Sequence, residues 1–335
     1  MKRRPKQHVI VLAGDVGGTN TRLGICRVKG SIVKFIASQV YPSVQYPHLE
    51  TILREFMVGR GGVAAACFGI AGPVVRDIAM ATNLPWKVSV RSLQRKLSVD
   101  RVSVINDLVA NAYGIGAMGG RDFAVLNRGS RMTGNAAVLS AGTGLGEAVL
   151  FWNGTRHVPL PSEGGHAEFG PRCRLELRLL AYLLERVGHV SYEHVLSGSG
   201  LHTLYRFLKD SRRFGREPAW LRKQLAEGDP AAVISESARL RKSRLCDEAL
   251  DLFASIYGAA AGNLALQVMA VAGVYIGGGI APKILWKLRE GGFMRSFRDK
   301  GRLSPLVARI PVRVIMNDQA ALFGAAVHAA ELADG

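Results

Sequence analysis

The chain has 335 residues, 48% of them hydrophobic and 21% charged, a balance that excludes a disordered or fibrous polymer and suits a globular protein. That length favours two domains of roughly 100–200 residues each, which makes a ligand cleft between domains available. Lysine and arginine exceed aspartate and glutamate by 18, a surplus that favours anionic partners such as a nucleotide or a nucleic acid.

The basic start, Met1 to His8, reads as a solvated tail, because the apolar run behind it is cut short by Asp15 and makes a poor signal peptide. His8–Gly14 and Thr21–Val28 read as two strands joined at a glycine-rich tip, Asp15-Val-Gly-Gly-Thr-Asn20. Lys29-Gly30 turns the chain into a third strand at Ser31–Ile36, a helix is predicted around Pro47–Val58, and a strand at Val63–Ala71. Next comes an apolar strand, Val102–Asn106, which delivers Asn106 and Asp107 to the start of a helix. The glycine cluster at Gly114–Arg121 is the expected domain boundary.

The opening scheme then recurs. Ala136–Ala141 runs into Gly142-Thr-Gly-Leu-Gly146 and continues as Glu147–Trp152, so the chain holds two copies of one strand–glycine tip–strand unit. Pro161–Pro171 is a loop that packs Glu163, His166 and Glu168 beside glycines, and Arg174–Val187 reads as a helix. Glu193 stands before a further glycine-containing turn. Lys209–Lys223 and Arg239–Arg244 are charge-rich and belong on exposed helices or loops. No charged residue lies between Leu252 and Pro282, long enough to span a bilayer, but Asn263, Gln267, Gly273 and the triplet Gly277-Gly278-Gly279 interrupt it. A buried helix over Ser243–Ala272 and a buried strand at Gly273–Gly277 are therefore expected in place of a membrane span. A strand at Ile310–Met316 and a closing helix at Gln319–Leu332, capped by Asn317 or Asp318, complete the chain.

Several of these residues could do chemistry. A glycine-rich tip lets backbone N–H groups face an oxygen anion with no Cβ in the way, which is what cradling phosphate requires. Gly17, Gly18, Thr19 and Asn20 offer this at one tip, and Gly142, Thr143 and Gly144 at the other; a plain hairpin turn would use the same glycines. Asp15 suits Mg²⁺ held through water, or a strand-end carboxylate bonding the turn. Asn106 and Asp107 suit a helix cap equally with a catalytic carboxylate at a strand end, where ligand crevices lie in α/β sheets. Glu163 and His166 offer the donors and acceptors that sugar hydroxyls need, with a plain loop or a metal site as the alternatives. Gly277, Gly278 and Gly279 fit either close approach of a flat group such as adenine or tight packing. Neither the dinucleotide fingerprint nor the P-loop pattern occurs. The four cysteines, Cys26, Cys67, Cys173 and Cys246, show no C-x-x-C pairing and no Cys/His cluster, which points to a reducing, cytoplasmic setting.

Taken in order, Asp15–Asn20, Ile105–Leu108, Gly142–Gly146, Ser162–His166, Leu196–Leu201 and Gly277–Ile280 make a sequence that resembles the bacterial glucokinases over nearly its whole length. The resemblance implies an α/β, actin-like (ribonuclease H-like) two-domain ATPase fold with an interdomain cleft. Residues 1–117 with 318–335 would form the smaller domain and 118–317 the larger. It also implies ATP and Mg²⁺ as cofactors, glucose as substrate and Asp107 as the base toward the 6-hydroxyl. Asn106, Glu163, His166 and Glu193 would hold the sugar, Asp15 would position Mg²⁺, and both tips would hold the ATP phosphates. The zinc motif C-x-C-G-x-x-G-C of the related repressor and kinase superfamily is absent, as is a helix-turn-helix before the first strand. Glu147 departs from the small or apolar residue expected after the second tip, with ATP affinity the property it would affect. A homodimer is expected, with no membrane attachment. The rival readings are a kinase of mannose, glucosamine or N-acetylglucosamine and, from another class, a sugar-sensing nucleic-acid-binding regulator drawn by the basic surplus.

Overall fold

A computed structural model describes residues 8–82 and 84–334; the basic tail expected at 1–7 lies outside the described residues. The described residues form two compact units, one drawn from 8–82, 84–122, 158–161 and 317–334, the other from 123–157 and 162–316.

The first unit is built on a five-stranded sheet. Its strands are β1 (Val9–Val16), β2 (Asn20–Lys29), β3 (Ile32–Pro42), β4 (Ala65–Ile70) and β8 (Val102–Asn106), in the order β3-β2-β1-β4-β8. Three short strands, β5 (Val74–Val75), β6 (Ile78–Met80) and β7 (Lys87–Ser89), make a separate antiparallel sheet between the last two. β1, β2 and β3 form the expected antiparallel meander, while β4 and β8 add in parallel to β1. β3 runs on to Pro42, beyond the predicted end at Ile36, because its ladder with β2 continues until Pro42 stands opposite Asn20.

Alternation along β1 sorts the core. Leu12 and Val16 face a cluster with Leu49, Ile52, Phe56, Phe68 and Trp86, whereas Val11 and Ala13 face the closing helix Ala320–Asp334 through Leu322, Ala325, Ala326 and Ala329. The small alanines let that helix lie close on the sheet. Its start is settled by Asn317, whose Oδ1 accepts a hydrogen bond from Gln319 N–H at 2.9 Å, while Asp318 is ion-paired with Arg22 at 2.9 Å.

The second unit repeats the plan. β9 (Phe123–Asn127), β10 (Ala136–Ala141), β11 (Leu145–Trp152), β12 (His157–Ser162), β13 (Gly273–Gly277) and β14 (Val312–Ile315) form a sheet ordered β12-β11-β10-β13-β14-β9, with residues 158–161 of β12 counted in the first unit. β10 and β11 are an antiparallel hairpin, and β13 and β14 add in parallel, as β4 and β8 do in the first unit. The duplication read in the sequence is thus a duplication of sheet topology. Strands β9 and β12 carry no clear sequence signal and were not predicted.

The uncharged segment from Leu252 to Pro282 holds the later part of the core helix Arg244–Gln267, buried along most of its length among Leu139, Leu201, Phe293 and Phe297, and then the strand Gly273–Gly277. The helix ends at Gln267, before the expected Ala272, in a Schellman closure: Met269 takes a positive φ of 49°, Met269 N–H bonds Leu266 O and Ala270 N–H bonds Ala265 O. The glycine-containing segment after Glu193 is likewise not a turn. It opens the helix Gly198–Asp210, where Ser197 Oγ accepts from Gly200 N–H at 3.0 Å.

Candidate active site

In the first unit, three parallel neighbours, β1, β4 and β8, end on the same side, and the register carries Asp15 opposite Gly69 and Gly69 opposite Ile105. Asp15 and the pair Asn106-Asp107 therefore emerge at neighbouring strand ends, flanking the end of β4. Their charges interact. Asp15 is pushed up to about 6, first by burial and then by the facing carboxylate of Asp107, with Arg22 opposing and Asp318 adding to the rise.

Asn106 and Asp107 divide the work that the sequence left undecided. Asn106 is the cap of the helix Asp107–Gly114: its Oδ1 accepts from Leu108 N–H at 2.9 Å and Val109 N–H at 3.4 Å, and its Nδ2 donates to Gly72 O at 3.2 Å. Asp107 is the first helical residue, half-buried, with Oδ1 accepting from Leu108 N–H at 2.9 Å. The cap is supplied by the neighbour, so the carboxylate is not consumed as the cap.

The tip Gly17–Thr19 closes through Gly17 N–H to Asn20 O at 3.0 Å. It is braced by Ser43, a residue the sequence reading did not single out. Ser43 Oγ donates to Gly17 O at 2.8 Å and lies 2.9 Å from Thr21 Oγ1, and Ser43 N–H bonds Thr19 O at 2.9 Å. Ser43 and Thr21 are fully buried while Thr19 and Asn20 are exposed, so the tip offers its outer backbone to solvent from a fixed base.

In the second unit, the tip Gly142–Gly144 closes through Gly142 N–H to Gly144 O at 2.8 Å, and Gly142 O accepts from Gly198 N–H at 2.9 Å. Beneath it lies Tyr257, also missed in the sequence because one tyrosine in an apolar helix looks like core. Its hydroxyl accepts from Ala141 N–H and reaches the carbonyls of Leu139 and Gly277, each at 3.3 Å. That single buried group ties the end of β10, which feeds the tip, to the end of β13, which feeds Gly277–Gly279. The glycine triplet splits between its two readings. Gly278, with φ of 80°, has the Ala141 carbonyl where a side chain would sit, so packing requires it, whereas a Cβ on Gly279 would meet nothing within 4 Å.

The sugar-loop residues also gather here. Glu163 and His166 flank a short 3₁₀ turn, Gly164–His166, and both are exposed. The loop is tied to the segment around Ser191 by Tyr192 N–H to Ala167 O at 3.0 Å and by His189 Nε2 to His166 O at 2.9 Å. Glu193 follows in the turn Tyr192–His194, where its Oε2 accepts from Leu145 N–H at 2.9 Å, directly after the tip. Glu163, His166, Glu193 and the Gly142–Gly144 tip are thus joined in one hydrogen-bonded region of the second unit. Glu147 belongs to the loop side of it: its buried carboxylate lies against Gly164.

Among the described residues no group of three or more His, Cys, Asp or Glu side chains is placed to hold a metal by itself. The facing pair Asp15 and Asp107 nonetheless suits a divalent cation whose other ligands are water and phosphate oxygens, the usual way Mg²⁺ is held beside a nucleotide.

Comparison with known proteins places the chain in a family. The family model for glucokinase matches residues 12–332. The chain is 40% identical to a glucokinase of Nostoc sp. over 342 aligned positions, covering 96% of this chain and 99% of that one. Its structure is similar to that of a glucokinase from an Antarctic psychrotroph, with a TM-score of 0.86, 30% identity, and coverage of 97% of this chain and 100% of the other. A ROK family glucokinase from Streptomyces griseus, solved with glucose and AMPPNP, shares the fold at a TM-score of 0.61 and 22% identity, over 96% and 99% of the two chains. With the family model spanning almost the whole sequence, and a full-length relative at this identity, the chain belongs to the glucokinase family.

Proposed function

We propose that the chain transfers the γ-phosphoryl group of ATP to the 6-hydroxyl of D-glucose, with Asp107 as the base. Family membership supports the reaction. The observation that supports the residue is the division of labour at the end of β8, where Asn106 caps the helix and leaves Asp107 a carboxylate role at a strand end beside Asp15. Asp107 accepts the proton of the 6-hydroxyl as that oxygen attacks the γ-phosphorus in line, and ADP departs.

Asn106 has one Nδ2 hydrogen left for the sugar after its bond to Gly72, and Glu163, His166 and Glu193 supply further acceptors and donors for sugar hydroxyls. The N–H groups of Gly17, Gly18, Thr19 and Asn20 at one tip and of Gly142, Thr143 and Gly144 at the other hold ATP phosphates, and Gly277–Gly279 lie along the adenosine. Asp15 holds Mg²⁺ through water; when bound, that ion neutralises charge on the phosphates. The working place proposed is the cytoplasm, consistent with four free cysteines, three of them buried, and the assembly proposed is a homodimer.

The test is Asp107→Asn, which keeps the shape and removes the base. Turnover should fall by about 10²–10⁴-fold with glucose dissociation changed by less than about fivefold, measured by coupled ADP release and by calorimetry. Near-normal turnover would overturn the assignment. The same assay run with mannose, glucosamine and N-acetylglucosamine separates glucose from the other hexoses, because the polar groups named here bind hydroxyls without naming the epimer. Salt-dependent DNA or RNA binding without sugar-dependent ADP release would support the regulator reading.

A further inference from the structure

The sugar loop rests on a carboxylate that the proposed reaction does not use. Glu147 lies in β11 opposite Leu139, is 7% exposed, and makes no hydrogen bond or ion pair among the described residues. Its Oε2 occupies the space that a side chain at Gly164 would fill, so the loop between Glu163 and His166 closes directly over it. Ser162 Oγ, which accepts from Gly164 N–H at 3.0 Å, borders the same space. Leaving a carboxylate buried without a partner is costly in its ionised form, and the contact with Gly164 is a direct route by which a change of its charge reaches Glu163 and His166.

We infer that Glu147 is a positioning residue whose protonation keeps the Glu163–His166 loop seated, so that the affinity for the sugar falls as Glu147 ionises. The inference rests on the reading of Glu163 and His166 as sugar-binding groups. Burial alone pushes the Glu147 carboxyl up to about 7, which brings its titration into the working range of a cytoplasmic enzyme. The titratable groups on the elements packed against it are Glu163 and His166 on the loop and Glu193, which holds Leu145 on the same strand; Leu139 opposite carries no charge. Below about pH 7 the acid is neutral and sits under Gly164 at little cost. Above it, the ionised carboxylate favours a lifted loop, which admits more water to Glu147.

The experiment compares wild type with Glu147→Gln, a permanent mimic of the neutral acid, by glucose titration calorimetry and steady-state kinetics between pH 6 and pH 8. In the wild type the dissociation constant and KM for glucose should rise about three- to tenfold across that interval, with a smaller change in kcat. In Glu147→Gln both should stay within about twofold. A slope in Glu147→Gln equal to that of wild type would overturn the inference, because His166 or Glu163 would then be its source. Hydrogen exchange of residues 163–168 in the unliganded chain gives a readout independent of the sugar: protection should fall with pH in wild type beyond the intrinsic rate change, and not in Glu147→Gln. Exchange that responds while glucose is neither bound nor phosphorylated would sink the sugar reading and leave the loop coupling intact. Should Glu147→Gln fail to fold, Gly164→Ala crowds the same carboxylate and should weaken glucose binding about tenfold. Glu147→Ala should restore most of that loss, and losses that simply add would overturn the contact.

Discussion

The tip at Gly17–Thr19 is held from the side, by a serine hydroxyl that enters from the end of β3 and bonds Gly17 O and Thr21. The tip at Gly142–Gly144 is held from below, by the Tyr257 hydroxyl at the end of β10, and from its far side by Glu193 on Leu145 and by the helix start at Gly198. The two sheets share strand order and direction, yet none of these supporting residues corresponds between them. What the duplication carries is the backbone arrangement, a hairpin with open N–H groups beside parallel strand ends. What each half adds is the group its own neighbours need: a carboxylate pair beside the first tip, and the side chains of Glu163, His166 and Glu193 beside the second.

If the second tip is tied to Gly277–Gly279 through Tyr257, a disturbance of that triplet must be felt at the tip. Gly278→Ala sets a side chain at a positive φ against the Ala141 carbonyl. The strain and the collision together should cost about 2–4 kcal/mol, read as a lowered unfolding midpoint, with KM for ATP raised more than tenfold. A variant that kept both values would show that the triplet and the tip are independent.

The corresponding strike on the first tip is Ser43→Ala. It removes two bonds of a fully buried hydroxyl and leaves Thr21 Oγ1 and Gly17 O short of a partner, a loss of about 1–3 kcal/mol. KM for ATP should rise several-fold with KM for glucose nearly unchanged, since Glu163, His166 and Glu193 lie in the other unit and Asn106 is held by Gly72, Leu108 and Val109, not by the tip. An equal rise in both would mean that the first tip supports the sugar as well.

The tips themselves were legible because a glycine pair between two apolar runs leaves few alternatives, and the repeat of that pattern was visible in the residues. Asp107 was legible as one of two carboxamide or carboxylate groups at a strand end, though only the structure shows Asn106 taking the cap. Ser43, Tyr257 and the placement of Glu147 were not legible, because each acts through a partner between 17 and 118 positions away in the chain. Strands β9 and β12 were missed for a related reason: Phe123–Asn127 and His157–Ser162 lack a clean alternation and gain their pairing from the sheet. The long helix was overextended because its closure depends on Met269 adopting a left-handed conformation that glycine would have signalled and methionine does not.

Gly142→Ala sets the finest contrast between fold and function. A Cβ at Gly142 would meet nothing within 4 Å, and its φ is outside the left-handed region, so the turn does not need glycine there. Alanine should leave the unfolding midpoint unchanged, or raise stability by about 0.4–1 kcal/mol by narrowing the unfolded ensemble. If phosphate approaches the backbone at this point, the same methyl stands in its way, and KM for ATP should rise about tenfold, the worth of one charge-assisted contact. A stable variant with impaired ATP binding would separate the cradle from the hairpin that carries it. A stable variant with normal ATP binding would reduce the second tip to a turn and leave the phosphates to the first.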